Sequence, residues 1–366
     1  VPFKVNRRDH ADTRLIQEDV EALQPGQLRL QVESFALTAN TVTYATVGDK
    51  FGYWDFYPSR EPLQWGRVPA IGWARVVEST VDSVSEGGRY FGWFPMSEFV
   101  TMSAVTRRSG FRDVGPHRAK HAPVYVDFMR TDLDPYHVDS SRDGEDRQIL
   151  LRGLFLTSFL ADEYLADLQY YDAKTIVIVS ASSKTALGLA QRLVSKKQDF
   201  DISIVGVTSA RSIPFVSSTN LYDRVVSYQD IDLIPSSEKS VVVDMSGNRA
   251  IIAAIHRRLG ESLQHSMAVG FSHHESMKSA RNEVCGPEPK LFFAPTEVVR
   301  RSEEWGPEGY HRKATDALLS FVDSSRRWMD IKRVAGPTAV QIAWEAVQDG
   351  SAPAQCGIVA SMLHPP

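Results

Sequence analysis

One stretch constrains this chain more than any other: "KTIVIVSASSKTALGLAQRLVSKK", Lys174 to Lys197. Its opening "TIVIVS" is a nearly continuous β-branched run, of the kind found where a strand is covered on both faces of a parallel sheet. From Thr185 to Lys197 the apolar residues fall at helical spacing, so a strand, a tight loop and a helix follow one another. The rhythm repeats downstream. "DISIVGVT", "DRVVSY", "SVVVDMS", "HSMAVGFS" and "KLFFAP" read as the second to sixth strands. Helical patterns lie between most of them, "NRAIIAAIHRRLGE" being the clearest, and "LLRGLFLTSFLADEYLADL" precedes the first. Strands alternating with helices predict βαβ units and a doubly wound parallel sheet over residues 150–324.

The rest of the chain reads differently. "QLRLQVESFAL" (Gln27–Leu37), "IGWARVVES" (Ile71–Ser79) and "RYFGWFPMSEFV" (Arg89–Val100) have strand character between Gly- and Pro-containing turns, which predicts a twisted antiparallel lobe or partial barrel. Residues 106–148 are rich in Arg, His and Asp with weak periodicity, and are expected to form an irregular, partly exposed connection. The terminal helix "AVQIAWEAVQDG" and strand "CGIVASML" are expected to pack back on the first lobe. The 366 residues suffice for two domains, and a formal net charge of −4 gives no field that would draw nucleic acid or a membrane. Cys285 and Cys356 are far apart and in no metal-ligand spacing, which argues against a disulfide scaffold or a Cys-rich zinc. No apolar run approaches the roughly 20 residues of a bilayer span, and no signal-peptide pattern opens the chain, so a cytoplasmic protein is expected.

The loop after the first buried strand carries the functional reading. Amides of such a turn and of the first helical turn converge where the positive end of the helix favours an anion. Glycines normally clear that spot, because a Cβ blocks close approach or forbids a positive φ. Here Ala181, Ser182, Ser183 and Thr185 occupy the turn and only Gly188 remains. These residues are small, the hydroxyls of Ser182, Ser183 and Thr185 can donate, and Lys184 adds a charge. Together with Gly188 they are read as a site for a phosphorylated dinucleotide. The competing reading is a purely structural turn with a solvated Lys184. At the end of the next strand an NAD site places an acid against the 2′-hydroxyl, whereas this chain has "GVTSARS", with Thr208, Ser209 and Arg211 and no carboxylate. A carboxylate would repel a 2′-phosphate and Arg can bind one bidentately, so the pattern favours NADP(H).

The order of lobes and several short motifs resemble the medium-chain dehydrogenase/reductase superfamily over nearly the whole chain. "LRLQVESFALTANTVTYATVG" resembles its opening strand and turn, "VPAIGWARVVES" the strand reading "PGxExAGxVxxV", and "GGRYFGW" the "GDRVxG" turn. "VVVDMSGN" is similar to "DVVxDxxGG", "LQHSMAVGF" to "GGRxxxxG" and "CGIVASM" to "GKxVxxx". "ALTANTVTYATVGDKFGYWDFYP", "SASSKTALGLA" and "FFAPTEVVRRS" more closely resemble a divergent branch known only as a domain of unknown function. The resemblance implies a GroES-like β-rich N-terminal lobe over residues 1–149, completed by about 325–366. With it goes a Rossmann domain over 150–324. Thr157 resembles a position close to the nicotinamide, and dimers of the superfamily join through the sixth strand, so a homodimer is implied. Where zinc members carry their Cys and His-Glu ligands this chain has Thr38, Asn40 and Thr41, then Gly72, Trp73 and Ala74. The resemblance is therefore to zinc-free quinone and enoyl reductases.

In that chemistry the carbonyl oxygen needs a hydrogen-bond donor as enolate character develops. Tyr53, then Tyr57, are the preferred donors, with Tyr44 and Asn40 in the same stretch. Its dense aromatic residues suit a flat, conjugated small-molecule substrate, against the alternative of ordinary packing. His273 and His274 follow the fifth strand, and His273 is read as a proton donor or shuttle. Asp162 and Glu163 read as solvated or cap-related. A triad of Ser182 or Ser183 with His273 and Asp244 lacks the G-x-S-x-G elbow. The expected function is NADP(H)-dependent reduction of an enone, enoyl thioester or quinone. The alternative is a lyase, a hydrolase or a cofactor-binding scaffold on the same fold, motivated by the missing glycines.

Overall fold

Thr175–Val179 is buried at every position, as its β-branched composition requires, and forms the middle of a six-stranded parallel sheet. The structure is a computed structural model that describes residues 1–18, 21–269 and 285–364. Two compact units are present, Leu151–Met329 and a second formed by Val1–Leu150 with Asp330–Pro366.

In the first of these, the sheet runs Arg224–Ser227, Ser203–Thr208, Thr175–Val179, Ser240–Asp244, Leu263–Ala268, Lys290–Leu291. In chain order this is the doubly wound sequence with its reversal between the Thr175 and Ser240 strands. One face is covered by a core of Val177, Val179, Val205, Val207, Val242 and Ile255, among others. Each fully buried aliphatic chain contributes roughly 1.5–3 kcal/mol. Two expectations for this unit need correction. The sixth strand is only Lys290–Leu291, both exposed, because Pro295 in the first helical turn starts the long helix Ala294–Ser325, which kinks at Gly306 and Pro307. Asp162, expected to be solvated, is completely buried on the helix Arg142–Asp167, where it accepts from the Tyr170 hydroxyl (2.7 Å) and from Arg192 (2.9 Å). Burial is tolerated because both carboxylate oxygens are satisfied.

The second unit is built on an antiparallel sheet that closes on itself. Gln27–Leu37 pairs with Pro69–Ser79 on one side and, through Gln27–Gln31, with Phe99–Ser103 on the other, so its edge is used up. The ring continues through Arg89–Pro95, Asp127–Arg130 and Gly110–Asp113. Those last two strands lie within the segment expected to be irregular. They are only four residues each, with Phe111 and Phe128 inward and Arg112 and Asp127 paired across the ladder at 2.6 Å, so half of each strand is charged and the alternation is too short to read. The C-terminus does return to this unit: Ile358, Val359 and Ala360 pair with Leu37, Ala36 and Phe35. Asp330–Ala335 then adds in parallel beyond Cys356–Ser361, joined to it by the helix Pro337–Gln348. The "TANTVTYATVG" segment is not a turn but the helix Ala39–Thr46, started by a Thr38/Thr41 capping box. A small sheet of Phe3–Asn6, Thr13–Leu15 and Trp65–Gly66 went unread in the sequence.

Candidate functional site

The mouth of the parallel sheet is assembled by the Thr175 strand, the loop after it and the helix Lys184–Lys196. Ser180 takes φ = +64°, the left-handed conformation that a glycine would adopt freely. Ser183 is the N-cap, its Oγ accepting from the amide of Ala186 at 3.2 Å, while the amide of Leu187 begins the helical ladder on the Ser183 carbonyl. Ser182 accepts from the Thr208 hydroxyl at 3.2 Å, so the loop is tied to the end of the second strand. Thr208 is buried, Ser209 half-buried and Arg211 exposed, with no carboxylate among them. Lys184 and Thr185 are both half-buried.

Gly188 does something different from its neighbours. A Cβ there would stand 2.9 Å from Ser158 Oγ and 3.1 Å from the Phe155 ring, so this glycine lets two helices close on each other. Thr157 hydrogen-bonds back to Gly153 in its own helix at 3.4 Å; the adjacent Ser158 reaches the loop, donating to the Thr185 carbonyl at 2.6 Å. Nothing in a single sequence distinguishes those two hydroxyls. Sequence reasoning also missed two tyrosines that brace the loop. Tyr222 donates to the Ala181 carbonyl at 2.9 Å and lies where a Cβ on Gly206 would sit, 2.8 Å away. Tyr228 hydrogen-bonds to Ser180 and stands near the Asp244 carboxylate. Burial pushes the Asp244 carboxyl up, and Ser246 Oγ (2.7 Å) and the Gly247 amide (3.0 Å) oppose that shift. His273 and His274 lie outside the described residues.

The β-rich unit brings together a second group. The Tyr53 hydroxyl is 3.3 Å from that of Tyr125, and the Tyr53 ring meets Tyr44 and Phe56 at 4.7 and 5.5 Å. Tyr44 accepts from Trp93 Nε1 at 3.0 Å and hydrogen-bonds Asn40. The Tyr57 hydroxyl donates to the Trp93 carbonyl and the residue is buried, so its donor is committed. The buried guanidinium of Arg118 lies over Phe56 at 4.2 Å and beside Asp113 at 3.3 Å. Burial pushes the Tyr53 hydroxyl up to about 12 and drives Tyr125 higher still, so both remain protonated donors at neutral pH. Tyr125 was missed because it sits in the segment that had no readable periodicity. Among the described residues no group of three or more His, Cys, Asp or Glu is placed to hold a metal ion. No helix among them is long and apolar enough to cross a membrane.

A closed antiparallel β unit completed by the C-terminus, together with a doubly wound sheet carrying a loop-and-helix mouth, is the medium-chain dehydrogenase/reductase fold. The chain belongs to the family described as "Protein of unknown function (DUF2855)", whose pattern matches residues 35–353. No curated protein matches it. Among solved structures, CurA from Vibrio vulnificus in complex with NADPH is 11% identical, with 96% of this chain and 95% of that one covered and a TM-score of 0.59. The CurF ER cyclopropanase of the curacin A biosynthetic pathway is 15% identical, with 99% of each chain covered and a TM-score of 0.57. The CurK enoyl reductase is 16% identical over 96% of this chain and 94% of its own, with a TM-score of 0.51. These likenesses establish the fold.

Proposed function

We propose that the chain is an NADP(H)-dependent, zinc-independent oxidoreductase that reduces a conjugated carbonyl, an enone, enoyl thioester or quinone, in the cytoplasm. The observation that carries this reading is the pair of strand ends. At the first, hydroxyls and a helix N-terminus converge in a turn of small residues; at the second, Thr208, Ser209 and Arg211 stand where an NAD site needs an acid. The NADPH of the CurA complex and the enoyl reductase named among the structural neighbours point the same way.

Bound NADPH would supply the hydride. The chain's own residues would do the rest. Ser182, Thr185 and the first-turn amides receive the diphosphate, with Lys184 and Arg211 answering its charge and that of the 2′-phosphate. Gly188 contributes by closing the helices behind the loop. Tyr53 donates to the substrate oxygen as negative charge develops on it, and Tyr125 holds that phenol in place. Asn40 acts one step back through Tyr44, and the committed hydroxyl of Tyr57 makes it a wall. Aromatic rings around Tyr53 suit a flat substrate.

One observation favours the non-redox reading: Tyr228 already hydrogen-bonds Ser180 within the mouth. Titration of the protein with NADPH and NADH, followed by nicotinamide fluorescence, separates the two. Binding of NADPH with little response to NADH is expected, and Arg211→Ala should weaken NADPH by roughly 1–3 kcal/mol while leaving NADH nearly unchanged. Silence toward both cofactors would hand the fold to non-redox work. An unchanged preference in the Arg211 variant would remove the specificity argument.

A further inference from the structure

The loop that lacks glycines has one beside it. Gly206 lies inside the second strand, Ser203–Thr208, opposite Ile178 of the first. A Cβ built on it would stand 2.9 Å from the Cβ of Ala181 and 2.8 Å from Cδ1 of Tyr222. Both distances are well inside the roughly 3.5–4.0 Å at which carbon atoms pack. Gly206 therefore leaves room that the loop itself fills. Ala181, the second residue after the strand Thr175–Val179, is completely buried there, and its amide donates to the Val207 carbonyl at 3.0 Å. The close approach that a glycine in the loop would ordinarily permit is permitted from the strand alongside.

Tyr222 shares that room. Its hydroxyl donates to the Ala181 carbonyl at 2.9 Å, and burial holds the hydroxyl pKa above its ordinary value, so the phenol keeps its proton and remains the donor. Among the described residues no peptide bond is cis, and in a trans peptide the C=O and N–H point opposite ways. With the Ala181 carbonyl turned to Tyr222, the Ser182 amide is turned from it, and no described residue accepts from that amide. A carbonyl repels an anion at a helix mouth, whereas an amide without an acceptor attracts one. One residue earlier, Ser180 takes its left-handed φ of +64° with Tyr228 hydrogen-bonded to it. The path of the turn is thus held from the second strand and the segment after it.

We propose, on the NADP(H) reading, that Gly206 and Tyr222 are positioning residues of the nucleotide loop. Gly206 lets the loop close over the second strand, and the Tyr222 hydroxyl keeps the Ala181 carbonyl out of the diphosphate's place. The dissociation constant of NADPH, followed by nicotinamide fluorescence on the full chain, tests this in wild type, Tyr222→Phe, Gly206→Ala and Gly206→Ala with Ala181→Gly. Tyr222→Phe deletes one oxygen and should weaken NADPH about tenfold, the scale of one lost hydrogen bond. Gly206→Ala, which pushes the Ala181 methyl aside, should cost about tenfold or more, and adding Ala181→Gly should recover about threefold or more of it, because the two sites are coupled by contact. In ¹⁵N NMR the Ser182 amide of wild type should move as NADPH saturates, and it should move less in Tyr222→Phe. If wild type binds NADPH and both single variants stay within about twofold of it, the proposal is overturned while the cofactor reading stands. A Ser182 amide that stays still while NADPH saturates wild type overturns it equally, with no variant needed. Wild type that takes up no NADPH overturns both.

Discussion

The mouth of the parallel sheet and the tyrosine cluster of the β-rich unit are built on opposite principles. At the mouth the contacts offered to a ligand are mostly backbone amides and short hydroxyls, placed by a strand, a turn and a helix that are adjacent in sequence. In the proposed reading, side chains there can change as long as they stay small, so serines and a threonine would stand in for glycines. In the cluster the groups are side chains that are remote in sequence: Tyr53 and Tyr125 are 72 residues apart and meet only in the folded unit, where they pack on Tyr44 and Trp93. A backbone-carried site thus tolerates substitution and remains visible as a pattern, whereas a side-chain-carried site is exacting and leaves almost no pattern.

The strongest way to break this contrast is to disturb the cluster's support. Arg118→Met removes a guanidinium that is buried beside Asp113 and stacked on Phe56, and leaves the carboxylate without its ion-pair partner, with the Gly115 amide still donating to it. A loss of roughly 3–5 kcal/mol in denaturant unfolding is expected, and a loss below about 1 kcal/mol would mean the cluster is not held by this pair. Tyr53→Phe is the sharper test, because it deletes one oxygen from a packed ring. With a cyclic enone or a benzoquinone as substrate, turnover should fall about 100-fold while NADPH binding is unchanged. Equal turnover would move the donor elsewhere.

Acid should expose a third difference. The folded-state pKa of His265 lies below the ordinary value of 6.5, so the unfolded chain binds the extra proton first. Stability is then full above about 6.5 and declines as pH falls toward about 4, with His256, also lowered by burial, adding in the same direction. His265→Phe should flatten that decline in denaturation curves recorded across the window. The smallest effect has the opposite sign. Ser180→Gly relieves a left-handed serine, and unfolding should become harder by about 0.5–1 kcal/mol; destabilisation would show that the Tyr228 contact outweighs the backbone strain.

Much of the fold is legible in the sequence alone. "TIVIVS" could be little other than a central parallel strand, and the alternation of "QLRLQVESFAL" marked a barrel wall. What escaped had physical reasons. Gly110–Asp113 and Asp127–Arg130 are too short for a period of two to register, and charge falls on both of their faces, Asp113 being buried beside Phe111. The helix Ala39–Thr46 is mostly Thr, Asn and Val, weak helix formers held by its capping box and by burial of Thr41 and Tyr44. Of the candidate residues, the loop positions could be found by their place after the strand. Ser158, Tyr125, Tyr222 and Tyr228 could not, since each acts through a partner that only folding supplies.

The sequence by itself determined which segments are strands buried on both faces, where the loop and helix mouth falls, and that no acid stands at the second strand end. These are local properties, fixed by side-chain volume, branching and charge over a few residues. Only the tertiary structure decided which hydroxyls touch, which glycine separates helices instead of facing a ligand, and that a run of left-handed residues presses Tyr171 onto His265. Those depend on distances between remote parts of the chain, which the closing of a barrel and the stacking of a sheet set, and no local pattern encodes them.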